Sequence, residues 1–318
     1  MARKYGYIDP LLSNLAVDYS RLVREGLVGP IIFPRIPVPK PSGKYAKFDK
    51  DAAFKVPDTT MAGERSQANE FHVSQKTVNY ATTPHGLKSF IDSADLEFMD
   101  GPFKLWEKRK AELLVSKLEL SQERRIAQKV LNLSGRSTTL SGVGTAKTNK
   151  WANGQGDPFQ SIKDGIAQLF FRPNVLLFNE SVYDTLEYHP KLLEKLGEAN
   201  LIKKVSEETL AKLFRIDRVI IAKGRADFGK TNSTGSVNPQ NIWGDAVILA
   251  HTNDQWDQPC AGKTFSLQYK EADSEGYVVR TWDEEDGGVL GGEYVQVAHE
   301  TEEVVVCEDL IYTIKDVL

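Results

Sequence analysis

The chain of 318 residues is 41% hydrophobic and 26% charged, with a formal net charge of −4. This is an ordinary globular composition with room for two or more buried lobes. No basic excess points to a nucleic-acid-binding protein, and no apolar run is long enough to cross a bilayer as a helix. Asp9, Asp18, Arg21 and Arg24 interrupt every candidate signal-peptide core. Cys260 and Cys307 stand far apart with no C-x-x-C partner, which argues against a disulfide framework or a cysteine zinc site and fits a reducing origin.

Asp9-Pro10 is an N-cap followed by proline at the first helical position, and Gly26 is a stop signal. A helix is predicted between them, with Leu11, Leu12, Leu15, Tyr19, Leu22 and Val23 on one face. Little nearby can bury that stripe, so the helix is expected to dock elsewhere in an assembly. Pro30, Pro34, Pro37, Pro39 and Pro41 then remove backbone donors and predict an extended arm, neither helix nor central strand. Ser42-Gly43 turns into a short strand over residues 44–48. A returning strand is predicted over residues 70–80, with Phe71, Val73 and Val78 among polar neighbours. Such a two-stranded excursion is marginal alone in water and needs a partner.

Gly101-Pro102 opens one long helix reaching about residue 133. Trp106, Leu113, Leu120 and Ala127 recur every seven residues, while Lys110 and Lys117 sit on the complementary seam. That pattern disfavours a coiled coil and predicts a helix lying along a sheet, its many charges solvated. Residues 133–156 are rich in Ser, Gly, Thr and Asn and read as a loop. Beyond them the pattern is α/β, with helices at 162–171, 181–188, 190–196 and 207–214 and buried strands at 174–178, 218–222 and 246–250. Strands at 265–269, 277–282, 294–299 and 304–314 fill the last third. The first of these alternates as a half-buried strand should.

Gly224-Arg-Ala-Asp-Phe-Gly229-Lys230-Thr231 matches the phosphate-loop pattern G-x-x-x-x-G-K-[ST] and follows a buried strand. A working phosphate loop needs a helix starting at the lysine. The residues that follow, Asn232 to Pro239, cannot make one, so a glycine-rich surface loop is expected. Gly142-Val-Gly144 lacks the third glycine of a dinucleotide site. His72, His85, His189, His251 and His299 show no ligand spacing, and Asp283-Glu284-Glu285-Asp286-Gly287 lacks the alternation of a calcium loop. No G-x-S-x-G nucleophile elbow occurs. Neither catalytic residues, a cofactor nor a metal is expected.

The order of arm, long helix and α/β body resembles the major capsid proteins of tailed bacteriophages, which share the Hong-Kong-97-like fold. Val38-Pro-Lys-Pro-Ser42-Gly43-Lys44-Tyr45-Ala-Lys-Phe48 looks like the start of that family's extended loop, residues 71–80 its returning strand, and residues 103–131 its spine helix. Pro173-Asn-Val-Leu-Leu-Phe178-Asn179 resembles the strand entering the axial domain. Phe214-Arg-Ile-Asp-Arg-Val-Ile-Ile-Ala222 resembles another axial strand, and Asp309-Leu-Ile-Tyr-Thr-Ile the closing one.

The resemblance implies an α+β fold comprising an N-terminal arm (1–30), an extended β-hairpin loop (31–83) and a peripheral domain with the spine helix and its sheet (84–172). An axial α/β domain (173–260) and closing strands (261–318) complete it. It implies a virion shell protein, assembled in the host bacterial cytoplasm into pentamers and hexamers of an icosahedral head that expands from a precursor. Such a head encloses double-stranded DNA without sequence-specific binding and uses no membrane. The few residues before the extended loop lead to the expectation of a separate scaffolding protein, alongside a portal and possible decoration proteins. Contacts between subunits are expected at Pro37, Lys44, Tyr45, Phe48, Phe71 and Trp106. Lys40, Lys44, Lys47, Lys50 and Lys55 lie where some relatives form isopeptide cross-links. The alternatives are an encapsulin-like nanocompartment around cargo enzymes and, less favoured, a nucleotide-hydrolysing enzyme built on residues 224–231.

Overall fold

The computed structural model describes residues 7–47, 56, 58–60, 69, 77–93, 105–140, 150–154, 156–196, 204–227, 238–255, 258–269, 276–287 and 291–318. Strand β1 (Tyr7–Ile8) leads into helix α1 (Pro10–Glu25). Asp9 caps α1 by accepting from the Leu12 amide at 3.1 Å, and Gly26 ends it. Leu12, Ala16 and Val17 are buried against the chain's own long helix and sheet, while Leu11 is 79% exposed. The expected docking of α1 elsewhere is therefore overturned, because its apolar face is already covered.

Helix α2 (Gly29–Ile32) follows, with Pro30 in its first turn, where a missing N–H costs nothing. Ile32 and Phe33 are fully buried. The proline-rich segment thus begins as a packed helical turn rather than as a free arm. It continues as strand β2 (Arg35–Val38). Strands β3 (Ser42–Ala46) and β4 (Thr77–Ala81) pair antiparallel, with Ala46 opposite Thr77. The first part of the expected returning strand, residues 70–76, lies outside the described residues. Strand β5 (Thr83–Asp92) comes next and gave no clear signal in the sequence, since it is a half-exposed edge strand holding Pro84 and Gly86. Helix α3 (Leu105–Leu131) is the predicted long helix.

The remaining elements are β6 (Ser137–Thr139), α4 (Pro158–Ala167), β7 (Val175–Asn179), α5 (Glu180–Glu187), α6 (Pro190–Lys195), α7 (Glu207–Phe214) and β8 (Arg218–Ala222). A short ribbon of β9 (Arg225–Ala226) and β10 (Gln240–Asn241) precedes β11 (Val247–Ala250). Then come β12 (Gly262–Leu267), β13 (Tyr277–Glu284), β14 (Gly292–Val305) and β15 (Ile311–Lys315).

Two sheets organise these elements. The six-stranded one runs β1-β13-β14-β12-β2, with β5 also on β14, so β14 has three partners; only β2–β12 is parallel. The five-stranded one runs β6-β15-β11-β7-β8. A 3-10 turn at Glu308–Leu310 carries the chain from the first sheet to the second, so the single strand expected over 304–314 is two strands in two sheets. β12 is buried at every position between β14 and β2 rather than half-exposed.

Helix α3 joins the two layers. Ala111, Leu114, Val115 and Leu118 pack with α1 on Val279, Val295 and Val297 of the first sheet. Ile126, Ala127 and Val130 reach Leu177 and Ile248 of the second. The other face of the second sheet, with Leu176, Phe178 and Leu249, is covered by α4 to α7. Burial on both faces explains why β7 and β11 read as unbroken apolar runs. The heptad line divides along the helix: Leu113 is 52% exposed, whereas Leu120 and Ala127 join the core beneath the second sheet.

Candidate assembly surface

The β3–β4 hairpin is rooted in its own chain. The Tyr45 and Tyr80 rings flank Phe265 of β12 at centroid distances of 5.3 and 4.6 Å, closing a small core with Ile36, Val38, Cys260 and Val306. Aromatic pairs of this kind contribute about 0.5–1.5 kcal/mol each beyond area burial. Gly43 lies opposite Tyr80, and a Cβ there would come within 2.7 Å of the tyrosine ring. The hairpin therefore leaves the body from a fixed base.

Pro37 is exposed on β2, an outer strand of the first sheet. Thr264 donates to the Pro34 carbonyl and Gln268 to that of Val38, so even-numbered residues face β12 and positions 37 and 39 face outward. Both are proline, which leaves that edge short of donors and closes it to strand addition. Lys44 is exposed on β3. Tyr45, by contrast, is 7% exposed and packs within its own chain. Phe48 and Phe71 lie outside the described residues, as does the side chain of Trp106, whose backbone is in α3.

A buried polar junction lies between α3 and the two sheets, where sequence reasoning expected solvated charges. Glu119, Gln122 and Glu123 are at most 3% exposed. Glu119 accepts from Arg24 Nε at 2.8 Å, from the Tyr277 hydroxyl at 2.6 Å and from Arg35 at 3.4 Å. Glu123 accepts from the amides of Val28 and Gly29, at 3.1 and 2.6 Å, and from Trp243 Nε1 at 2.6 Å. It thereby caps α2 and ties it to α3 and to Trp243, just before β11. Gly29 is needed for that approach, since a Cβ would sit 2.5 Å from Glu123 Oε2. Burial pushes the Glu123 carboxyl up. Glu303 of β14 is also raised by burial, but Arg125, at 2.8 Å, and Lys129 outweigh that and hold it low. The i,i+4 spacing of Glu119 and Glu123 was the sequence's only hint of a shared inward face.

His299 is fully buried against Tyr277 and His85, and neither of its ring nitrogens has a hydrogen-bond partner among the described residues. Burial first, then Arg35 of β2, Arg125 of α3, His85 of β5 and Arg24 of α1, hold it well below the usual histidine range. Its folded-state pKa is depressed, so its stabilising contribution is complete above about pH 6.5 and is lost as pH falls. Glu123 works in the opposite sense. Melting of wild type and His299→Phe should therefore be compared at the same two pH values. Wild type is expected to lose several degrees more than the variant between neutral and mildly acidic pH. Equal losses would remove His299 from the account.

The phosphate-loop motif falls partly outside the described residues. Its described start turns into the β9–β10 ribbon: Ile242 donates to the Gly224 carbonyl, and Asn238 to the Asp227 carboxylate. That start folds as antiparallel ribbon. Burial pushes the Cys260 thiol up to about 11, which keeps it protonated near neutrality. Among the described residues no group of acids, histidines and cysteines has metal-ligand geometry, and no helix is long and apolar enough to cross a membrane.

No protein-family model matches the chain. The major capsid protein of Pseudomonas phage JBD67 is 26% identical over 314 residues, covering 95% of this chain and 94% of that protein. The chain is a homologue of phage major capsid proteins. The major capsid protein of Burkholderia phage BcepMu is 26% identical over 257 residues, 78% of this chain and 77% of that protein. Among solved structures, a phage-related protein from Bordetella bronchiseptica RB50 has a TM-score of 0.71 at 20% identity, covering 99% of this chain and 98% of that one. The capsid of cyanophage P-SCSP1u gives 0.57 at 8% identity, covering 89% and 86%. The holo-SrpI encapsulin complex from Synechococcus elongatus PCC 7942 gives 0.54 at 10%, covering 94% and 87%. The mixed helix-and-sheet fold is that of phage capsid proteins.

Proposed function

We propose that this chain is the head shell protein of a tailed phage, a structural subunit that assembles in many copies around the phage DNA and resides in the virion. The end-to-end relationship to the JBD67 capsid protein carries this reading. Residues 39–82 act as the extended loop, α3 as the spine helix, the first sheet as the peripheral sheet and the second as the axial domain. Pro37 and Lys44, together with Phe48, Phe71 and Trp106, contact neighbouring copies. Pentamers and hexamers then close into a shell through repeated heterologous contacts. A scaffolding protein, a portal and decoration proteins are partners of such a shell, which expands as it matures. The reading requires no catalysis.

Electron microscopy of the purified protein, alone and co-expressed with its neighbouring structural genes, tests it. Closed icosahedral shells are expected; small oligomers under every condition would overturn the reading. The encapsulin alternative is supported by the weaker structural likeness and predicts shells filled with a cargo enzyme rather than shells competent for DNA.

A further inference from the structure

Strand residues two apart share a face, and the register of β5, β14 and β13 divides theirs. Ile91, Val295, Val297 and Val279 face α1 and α3. The opposite face therefore carries Phe90, Tyr294 and Trp282 side by side, in one row across three strands. The Tyr294 ring centre lies 5.1 Å from that of Phe90 and 5.4 Å from that of Trp282, and all three residues are part-exposed. The row on one side holds Lys88 and Arg280, with Lys88 Nζ 4.3 Å from the Tyr294 ring centre. On the other side Glu284 leads to the exposed Asp286, and neither acid meets a cation among the described residues. Elsewhere on the same sheet Pro37, and after β2 Pro39, Lys40 and Pro41, are exposed, and Lys40 has no acidic partner among the described residues. Proline fixes φ, so this segment is stiff before it meets anything. Pro37 stands level with Thr301 through Ser266. Thr301 and Tyr294 are seven residues apart along β14, about 24 Å, so the two surfaces of one subunit cannot meet.

Resting on the shell reading above, we infer that residues 37–41 of one copy dock on the Phe90–Tyr294–Trp282 row of a second copy, with Lys40 turned toward Glu284 and Asp286. Stiff proline segments suit aromatic surfaces because they lose little freedom on binding and lay flat rings against flat rings. Charge fixes the direction of the contact: an unpaired base sits among the prolines, and unpaired acids border the aromatic row. The two surfaces differ, so the contact is heterologous and can pass from copy to copy until a ring closes.

Charge reversal tests the contact in the full-length chain co-expressed with its neighbouring structural genes, with shells counted by electron microscopy. Lys40→Glu alone, and Glu284→Lys/Asp286→Lys alone, should each cut the yield of shells about tenfold, because like charges then face each other. The triple variant carrying both reversals should recover most of the wild-type yield. None of the three side chains is buried, so an unchanged melting temperature serves as the folding control. Normal shells from either reversal, or no recovery in the triple variant, would overturn the proposal. Loss from the acidic-side reversal alone would overturn it too, and would give the aromatic row to some other partner. A cross-link reads the same contact without counting shells. Lys40→Cys/Asp286→Cys, oxidised at high concentration, should give a ladder of dimers, trimers and larger species on a non-reducing gel, since Cys260 and Cys307 are buried. Each single-cysteine variant should stop at a dimer, and a double variant that also stops there would sink the contact. Wild type that forms no shells under any condition would be a failure of the shell reading, and the ladder would still decide the contact.

Discussion

Glu123→Ala is expected to destabilise the unassembled subunit by about 3–5 kcal/mol and to lower its melting temperature by roughly 10 °C. The carboxylate satisfies three buried donors at once, two backbone amides at the start of α2 and the Trp243 indole. Truncation leaves all three without an acceptor in a site closed to water, which costs more than the hydrogen bonds were worth. It also unties a link that joins α2, α3 and Trp243 through one side chain. Glu123→Gln keeps an acceptor oxygen but turns an NH2 toward one of the donors, so a smaller loss is expected. Thermal melting followed by near-ultraviolet circular dichroism measures both. A Glu123→Ala subunit that melts like wild type would mean that the junction contributes nothing to stability.

The second large effect concerns assembly and leaves folding intact. Ala46 lies opposite Thr77 in the β3–β4 ladder, so residues 47–76 can be replaced by Asn-Gly, whose type I′ turn closes a two-residue hairpin. The root of the hairpin, with Tyr45 and Tyr80 on Phe265, is preserved. The shortened chain should be soluble, with a melting temperature close to that of wild type. It should form no closed shells, because the segment proposed to reach a neighbour is gone. Electron microscopy of the two proteins side by side decides the matter: normal shells from the shortened chain would show that assembly does not depend on the excursion.

Much of the fold was legible because its local signals agree. The Asp9-Pro10 start and Gly26 stop of α1, the apolar runs of β7, β8 and β11, and the helix over residues 207–214 all appear where the sequence places them. The failures have physical causes. β5 is an edge strand stabilised by its pairing with β14 and by little of its own composition. α2 was masked by Pro30, which is read as a breaker but is tolerated in a first turn. Glu119 and Glu123 were assigned to solvent because charges are rarely buried unless paired, and their partners lie about a hundred residues away in sequence. Of the expected contact residues, Pro37 and Lys44 are exposed, whereas Tyr45 is used to root the hairpin. Strand propensity alone could not separate those roles.

The strand order has a consequence for chains that are cut short. β14 holds together β5, β12 and β13, and β15 lies between β6 and β11. Both interior strands are encoded later in the chain than every partner they join. A product of premature termination ending anywhere before Gly292 therefore lacks the inner strand of both sheets at once. It would expose unpaired edges and apolar faces on two lobes, a state that proteases and chaperones remove. Incomplete copies are thereby excluded from a lattice in which one defective subunit would spoil several neighbours. The fold itself acts as a check on chain length.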